Sequence, residues 1–302
     1  MSNTLVTGAA GFIGAHVAAK LGAIGVDNFN PYYDPDYKRR RVAALGVDCR
    51  TLDVTDYGAL SGLFWNNEFD RVVHLAAQPG VRHSLTHPHD YAANVTGFLN
   101  VLECCRQFGV QHLVYASSSS VYGANEVPFR VGDWVDCPLN LYAATKKANE
   151  LMAHAYGHLY GFATTGLRFF TVYGPWGRPD MAPLQFARAL RDGQPIELYG
   201  TCSRDWTYID DIVRGVEIAM DHPNGYSLHN IGCGNPVSVT GFVGALAAEL
   251  GVTPEIWQGD PAPGDMRDTW ADTESLEALG YWPEVPVAEG VRRFAEWFKC
   301  EG

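Results

Sequence analysis

Thr4-Leu5-Val6-Thr7-Gly8-Ala9-Ala10-Gly11-Phe12-Ile13-Gly14 decides the fold. Its first four residues read as a short strand, the glycine-punctuated stretch as a turn, and the Ala-rich segment that follows as a helix. Gly8 permits the tight turn, Gly11 lets a pyrophosphate approach the backbone, and Gly14 packs helix against strand, so that amides at the helix N-terminus face the phosphates. Glycines in an ordinary βα loop are the alternative, and the strand-turn-helix context favours a dinucleotide. Asp27, nineteen residues after Gly8 at the end of the apolar segment 23–26, is placed to accept hydrogen bonds from a ribose diol. A carboxylate there repels a 2′-phosphate, which favours NAD over NADP.

Working outward, apolar strand-like segments at 4–7, 23–26, 71–76, 112–117 and 163–168 alternate with helical ones. That alternation predicts right-handed βαβ units and an α/β fold, a Rossmann-type doubly wound parallel sheet. Asp53 and Val54, after a further strand, are expected near the adenine. Val72-Val73-His74-Leu75-Ala76-Ala77 ends in small residues suited to close contact with a dinucleotide at the carboxyl edge of the sheet. After Phe170 the chain changes character, with Gly-, Pro- and aromatic-rich loops. Residues 1–170 are therefore read as the NAD-binding domain and 171–302 as mainly a smaller α/β substrate lobe, part of 205–232 packing back on the first. A cleft is expected between them.

Tyr142-Ala-Ala-Thr-Lys146 sits inside a predicted helix, where a four-residue step puts both side chains on one face. Upstream, Ser117-Ser118-Ser119-Ser120-Val121-Tyr122-Gly123 supplies hydroxyls. A phenol, an ammonium and a hydroxyl around one carbon are equipment for moving a proton and a hydride. A tyrosine ionises near pH ~10, so a base working at neutral pH needs the neighbouring ammonium to favour phenolate.

Composition bounds the partners. The 302 residues are 47% hydrophobic and carry a net charge of −12, which argues against a nucleic-acid surface and against an anionic membrane. Anionic ligands must then be met by local cations. Seven cysteines without a CxxC pair fit reduced thiols, and with no signal-peptide pattern and no run of eighteen apolar residues the expected location is the cytoplasm. His83, His87 and His89 lie close in sequence but lack metal-site spacing, so no metal is expected.

Taken together, the glycine turn, His74-Leu75-Ala76-Ala77, the serine run, Tyr142-x-x-x-Lys146, Leu167-Arg168-Phe169-Phe170-Thr171-Val172-Tyr173-Gly174-Pro175 and Arg204-Asp205-Trp206-Thr207-Tyr208-Ile209-Asp210-Asp211 resemble an extended short-chain dehydrogenase/reductase acting on nucleotide sugars. Asn28-Phe29-Asn30-Pro31-Tyr32-Tyr33-Asp34, Ala76-Ala77-Gln78-Pro79-Gly80-Val81-Arg82 and Gly174-Pro175-Trp176-Gly177-Arg178-Pro179-Asp180-Met181 are most similar to UDP-glucuronate 4-epimerases. The resemblance implies Tyr142 as catalytic base and acid, Lys146 on the nicotinamide ribose, Ser118 on the sugar O4, Asn94 as support and Phe169 beside the nicotinamide. Phe12, Ile13, Asn28, Leu75, Ala76 and Ala77 join the glycines, Asp27, Asp53 and Val54 around a tightly held, recycled NAD.

The implied reaction oxidises C4 to a ketone, turns the sugar, and reduces the other face, inverting C4 without net redox change. Related 4,6-dehydratases carry an Asp-Glu pair where this chain has Ser119-Ser120, and related decarboxylases a glutamate at Ser120. The 4-keto form of a uronic acid is a β-keto acid prone to losing CO₂. Ser119, Ser120, Thr171 and Arg178 are expected to hold its carboxylate out of the reactive geometry. The resemblance implies Arg204, Asp265 and Arg267 on the UDP moiety, and Arg82 is a candidate for a substrate or cofactor phosphate. A UDP-glucose/UDP-galactose 4-epimerase, a UDP-glucuronate decarboxylase and a non-catalytic NAD-binding protein remain open.

In such relatives the helices matching 94–108 and 141–160 form a homodimer's four-helix bundle, so a homodimer is expected, with Phe98, Leu102, Leu151 and Met152 in the apolar stripes. Only twelve residues separate Gly14 from Asp27, about five fewer than in relatives. Segments near 46, 200 and 224 also look short, and the first helix is expected to be barely two turns long.

Overall fold

The computed structural model describes residues 3–200, 202–259 and 266–301. In chain order the strands are β1 Thr4–Thr7, β2 Ile24–Asp27, β3 Cys49–Thr51, β4 Arg71–His74, β5 His112–Ser118, β6 Ala163–Phe169, β7 Thr171–Tyr173, β8 Ile196–Tyr199, β9 Ser203–Arg204, β10 Trp206–Tyr208, β11 Tyr226–Ile231, β12 Val237–Ser238 and β13 Ile256–Gly259. The helices are α1 Phe12–Leu21, α2 Pro35–Leu45, α3 Tyr57–Asn67, α4 Val81–Thr86, α5 Ala92–Gln107, α6 Leu141–Tyr160, α7 Ala182–Arg191, α8 Ile209–Asp221, α9 Val239–Leu250, α10 Glu274–Glu277 and α11 Val287–Glu301.

Seven strands form one parallel sheet in the order β11-β6-β5-β4-β1-β2-β3. The strand order reverses between β1 and β4, which opens a crevice at their carboxyl ends, the place where such sheets bind ligands. Both faces of the sheet are covered, and the two-residue period of a strand explains how. Leu5, Val72 and Leu113 point to a core shared with Leu60, Phe64, Phe98 and Val101 of α3 and α5, while their neighbours Val6, Val73 and Val114 point to one shared with Val17 of α1 and Ile212 and Val216 of α8.

At Phe170 the chain leaves the large sheet, and the next strands make three two-stranded pairs, β7 with β10, β9 with β12 and β8 with β13. The chain then returns: α8 packs on α1, and β11 lies beside β6 as the seventh strand. The carboxyl end of the sheet thus faces the small pairs.

Two expectations need correction. Helix α1 has ten residues, nearly three turns, and stops cleanly because Gly22 adopts φ +57° as its C-cap. The shortening is taken up between helix and strand, where only Gly22 and Ala23 remain before β2. Phe98 and Leu102 are fully buried in the chain's own core, so they are not on an outer stripe; Leu99 and Leu151 are exposed, at 41% and 60%.

Candidate active site

The crevice is a cavity of about 1050 Å³ running from the β1–α1 turn to the small strand pairs. At its first end the backbone itself is the wall. Gly8 has φ +71°, and a Cβ there would stand 2.7 Å from the Ala76 amide nitrogen at the end of β4. A Cβ on Gly14 would collide with the Gly8 carbonyl. Only glycine lets turn, helix and strand approach so closely. Gly11 is the N-cap of α1 and supplies no side-chain cap, so the helix start with Phe12, Ile13 and Gly14 opens into the cavity ready for an anion.

Asp27 closes this end. Its Oδ2 accepts from the Ala10 amide at 3.1 Å and its Oδ1 from the Phe29 amide at 2.8 Å, which fixes the carboxylate at the tip of β2. Asp53 accepts from Asn28 Nδ2 at 2.9 Å and from the Thr55 amide and hydroxyl. Burial raises the Asp53 carboxyl, but these donors outweigh it and hold the group below its ordinary value. Val54, Leu75, Ala76, Ala77 and Phe169 line the same space. A glycine cradle, an uncapped helix start and a fixed carboxylate fit a dinucleotide whose ribose carries a free 2′-hydroxyl.

Helix α6 carries the next wall. Asn140 caps it, its Oδ1 accepting from the Ala143 amide at 2.9 Å, and Gly161 ends it. Tyr142 and Lys146 both reach the cavity, as does Ser118 at the end of β5. Lys146 is buried and donates to the Ala116 carbonyl at 2.9 Å; burial lowers its ammonium to about 8. Its Nζ lies 6.0 Å from the Tyr142 ring centre. The expected lowering of the phenol by this lysine is not what the geometry produces. Burial raises Tyr142, opposed by hydrogen bonding from Ser118 and by the charge of Arg178. Burial outweighs both, so Tyr142 is a phenol at neutral pH.

Asn94 on α5 locks this region. Its Oδ1 accepts from the Gln78 amide at 2.6 Å, while its Nδ2 donates to the Gln78 carbonyl and to Thr145 Oγ1, both at 3.1 Å. Behind the helix lies a contact that reading the sequence missed. Arg168 of β6 donates from Nε and Nη2 to the two oxygens of Glu150 at 2.8 and 2.9 Å, and Ser117 Oγ donates to the same carboxylate at 2.6 Å. Both charges are essentially inaccessible, at 1% and 0%. The signal was there: Glu150 continues the Tyr142–Lys146 face by one more turn, and Arg168 is a charge inside an apolar strand.

The far end is built from side chains. Ser118 accepts from the Ser120 amide at 3.2 Å and its hydroxyl donates to Ser120 Oγ at 3.2 Å, folding residues 118–120 into a tight hydroxyl cluster with Ser119. Thr171 and Arg178 line the same chamber. Arg204 does not stand free: it donates to the carbonyls of Ser203, Met266 and Arg267 at 3.0, 2.9 and 2.8 Å and so pins that segment over the cavity. Arg267 is exposed at the rim. Arg82 reaches across from α4 and stacks over Tyr199 at 4.6 Å. Asp265 lies outside the described residues.

Sequence reading also missed what carries the Arg178 loop. Trp176 is held at φ +61°, a conformation uncommon for a non-glycine residue. Arg41, fully buried on α2, donates from Nε to the Trp176 carbonyl at 2.8 Å and from Nη1 to the Ala10 carbonyl at 2.6 Å, and Tyr37 donates to the Gly177 carbonyl at 3.0 Å. One guanidinium therefore ties the glycine turn to the Arg178 loop.

His83 and His87 stack at 4.2 Å, and His83 pairs with Asp90 at 2.8 Å. Among the described residues, no three His, Cys, Asp or Glu side chains gather as a metal site, and no helix is long and apolar enough to cross a membrane.

A nucleotide cradle at the switch point of a parallel sheet, with a Tyr, Lys and Ser facing one chamber beyond it, defines the class. Residues 4–232 match the NAD dependent epimerase/dehydratase family, and the chain belongs to it. Among its relatives, a probable UDP-glucuronate 4-epimerase of Rhizobium meliloti (strain 1021) is 44% identical, covering 97% of this chain and 96% of that one. UDP-glucuronate 4-epimerase 3 of Arabidopsis thaliana is 45% identical over 98% of this chain and 76% of its own. The crystal structure of UDP-glucuronic acid 4-epimerase from Bacillus cereus with UDP-glucuronic acid and NAD superposes with a TM-score of 0.92 at 30% identity, covering 98% of this chain and 99% of that one.

Proposed function

We propose that this chain interconverts UDP-glucuronate and UDP-galacturonate by epimerisation at C4, with NAD retained between turnovers. The observation that carries the reading is that Tyr142 lines one cavity together with Ser118, Ser119, Ser120, Thr171 and Arg178, with hydroxyls at the two positions that follow Ser118. A dehydratase or decarboxylase needs an acid or base near C5 and C6; hydroxyls at 119 and 120 donate to a sugar carboxylate and move no C5 proton.

The work of each residue follows from its placement. NAD bound along the glycine turn supplies the acceptor and then the donor of the C4 hydride. Ser118 holds the 4-oxygen in line with Tyr142. Tyr142 takes the 4-hydroxyl proton and gives it back when the opposite face is reduced. A further cation beside the phenol would favour the phenolate, adding to the charge of Arg178 and the hydrogen bond of Ser118 that already act in that direction. Lys146, held by Ala116, is a donor fixed at the ribose side of the cleft. Ser119, Ser120, Thr171 and Arg178 hold the carboxylate near the plane of the 4-ketone, where its bond to C5 does not align for loss of CO₂. Arg82 and Arg267 stand at the rim for the diphosphate, and Arg204 shapes that rim through its backbone contacts.

The exposed Leu99 and Leu151 on α5 and α6, with Leu159 and Tyr160 further along α6, support a homodimer packed through these helices, and the seven free cysteines support a cytoplasmic location. Light scattering at micromolar concentration tests the first; a monomer there refutes it. The activity is tested by proton NMR of UDP-glucuronate with the purified protein and no added NAD. UDP-galacturonate is the expected product. UDP-pentose as the main product, or conversion of UDP-galactose in preference to the uronate, overturns the reading.

A further inference from the structure

Arg178 is not a bare cation in the chamber. Its Nε donates to Asp180 Oδ1 at 3.0 Å, its Nη2 pairs with Oδ2, and Tyr32 donates its hydroxyl to that same Oδ2 at 3.0 Å. Tyr32 is itself confined: a Cβ on Gly80 would stand 2.7 Å from its hydroxyl, and the His83 ring packs edge-on at 4.9 Å. The three groups come from two segments 148 residues apart and form one closed latch. Burial, then the charge of Asp180, pushes Tyr32 up to about 12, so it remains a donor across the neutral range. Burial raises Asp180, but Arg178 outweighs it and holds the carboxyl below its ordinary value, so the latch stays ionised.

The chemistry of the 4-keto uronate gives the pair a task. Loss of CO₂ breaks the C5–C6 bond, sends its electron pair into the C4 carbonyl as an enolate oxygen, and leaves C5 to take a proton. That oxygen forms beside Tyr142. Arg178 acts on Tyr142 through space, in the direction that favours negative charge there. An unbalanced guanidinium in the same cavity stabilises the enolate as well as the phenolate. Paired with Asp180 it keeps its directional donors while most of its net charge is cancelled.

We propose that Asp180, pinned by Tyr32, is a positioning residue that both aims Arg178 and balances its charge, so that the chamber epimerises a uronate without assisting its decarboxylation. This inference rests on the reading of the site as a uronate 4-epimerase. The other titratable or charged groups around the cluster are Tyr33 just before α2, Lys38 within α2, His83 on α4, Tyr91 before α5, and Tyr142 on α6.

The test is the product partition and pH–rate profile of the holoenzyme, with UDP-glucuronate as substrate, in wild type, Asp180→Asn and Tyr32→Phe. Asparagine keeps an acceptor for Arg178 and removes the charge. The expected result for Asp180→Asn is a rise of roughly tenfold or more in the fraction of UDP-pentose and its 4-ketone, with the acid limb of kcat shifted to lower pH. Tyr32→Phe moves both the same way by less. If either variant folds and turns over with the wild-type partition and pH profile, whatever its rate, the latch is only structural and the proposal falls. Should Asp180→Asn not fold, Tyr32→Phe decides alone. Wild type that leaves UDP-glucuronate untouched overturns the proposed function and this inference with it, an outcome distinct from equal partition in an active enzyme.

Discussion

The two ends of the cavity are built by opposite means. The dinucleotide end is made of consecutive residues whose backbone is the binding surface: Gly8 to Gly14, with Ala76 a strand away. The sugar end is made by side chains that reach partners distant in sequence, Tyr32 to the Asp180 carboxylate, Arg41 to the Trp176 carbonyl and Arg204 to the Met266 carbonyl. A surface built by the main chain tolerates change in most side chains but no added Cβ. A surface built by distant side chains fails one hydrogen bond at a time, and its failures alter selectivity before they alter folding.

The largest effect that sharpens this contrast is expected at Tyr142. Tyr142→Phe removes one hydroxyl from the sugar end and is expected to lower kcat by about 10²–10⁴-fold while leaving NAD bound, read by the absorbance ratio of the purified protein. Loss of the cofactor together with activity would show that the two ends are not separable. Next in size is Glu150→Gln. It leaves Arg168 buried against a neutral partner, a break expected to destabilise the fold by about 3–5 kcal/mol in denaturant titration. Because Ser117 shares that carboxylate, activity at temperatures where the variant remains folded is expected to fall too. Third is Gly8→Ala, which forces a Cβ into both a positive φ and the Ala76 backbone. About 2–3 kcal/mol of destabilisation and purification without NAD are expected. A variant that keeps wild-type thermal stability and NAD content would break the claim that this end is a backbone surface.

The difference between the ends also explains what could be read beforehand. The glycine turn, Asp27, and the Tyr142–Lys146 step are local patterns in which spacing alone places the groups, and each lines the cavity. Asp53 and Ser118 are at the ends of recognisable strands. Tyr32 and Asp180 fall in stretches that carry the family resemblance, but nothing in those stretches says that the two side chains meet, and Arg41 in a basic run reads equally well as solvated surface. Their roles arise where the loop after β2 and helix α2 meet the loop after β7, and no periodicity reports which segments will touch. Arg204 illustrates the converse. Its motif was legible, but the carbonyls it serves belong to Met266 and Arg267, 62 and 63 residues further along the chain. Which apolar arc of α5 is buried was not legible for a related reason. Phe98 and Leu99 are neighbours, and a period alone does not say which of two apolar arcs meets the sheet.

Lys146 offers the smallest and most discriminating effect, because it belongs to both ends: its backbone partner is Ala116 and its chemical partners are in the chamber. Burial lowers its ammonium from 10.5 to about 8, so holding the charged form in the fold is unfavourable. For a base lowered in the folded state, the penalty is fully present below pH 8 and is relieved as pH rises from about 8 towards the unfolded value near 10.5. Lys146→Met removes that penalty while retaining much of the side chain's bulk. At pH 7 the variant is therefore expected to melt no lower than wild type, although it turns over far more slowly. The melting-temperature difference between the two proteins should shrink as pH is raised from 7 to 10. A variant that is clearly less stable at pH 7, by an amount independent of pH, would mean that the Ala116 hydrogen bond outweighs the burial of charge. Lys146 would then be a structural strut of the cofactor wall first and a chemical group second.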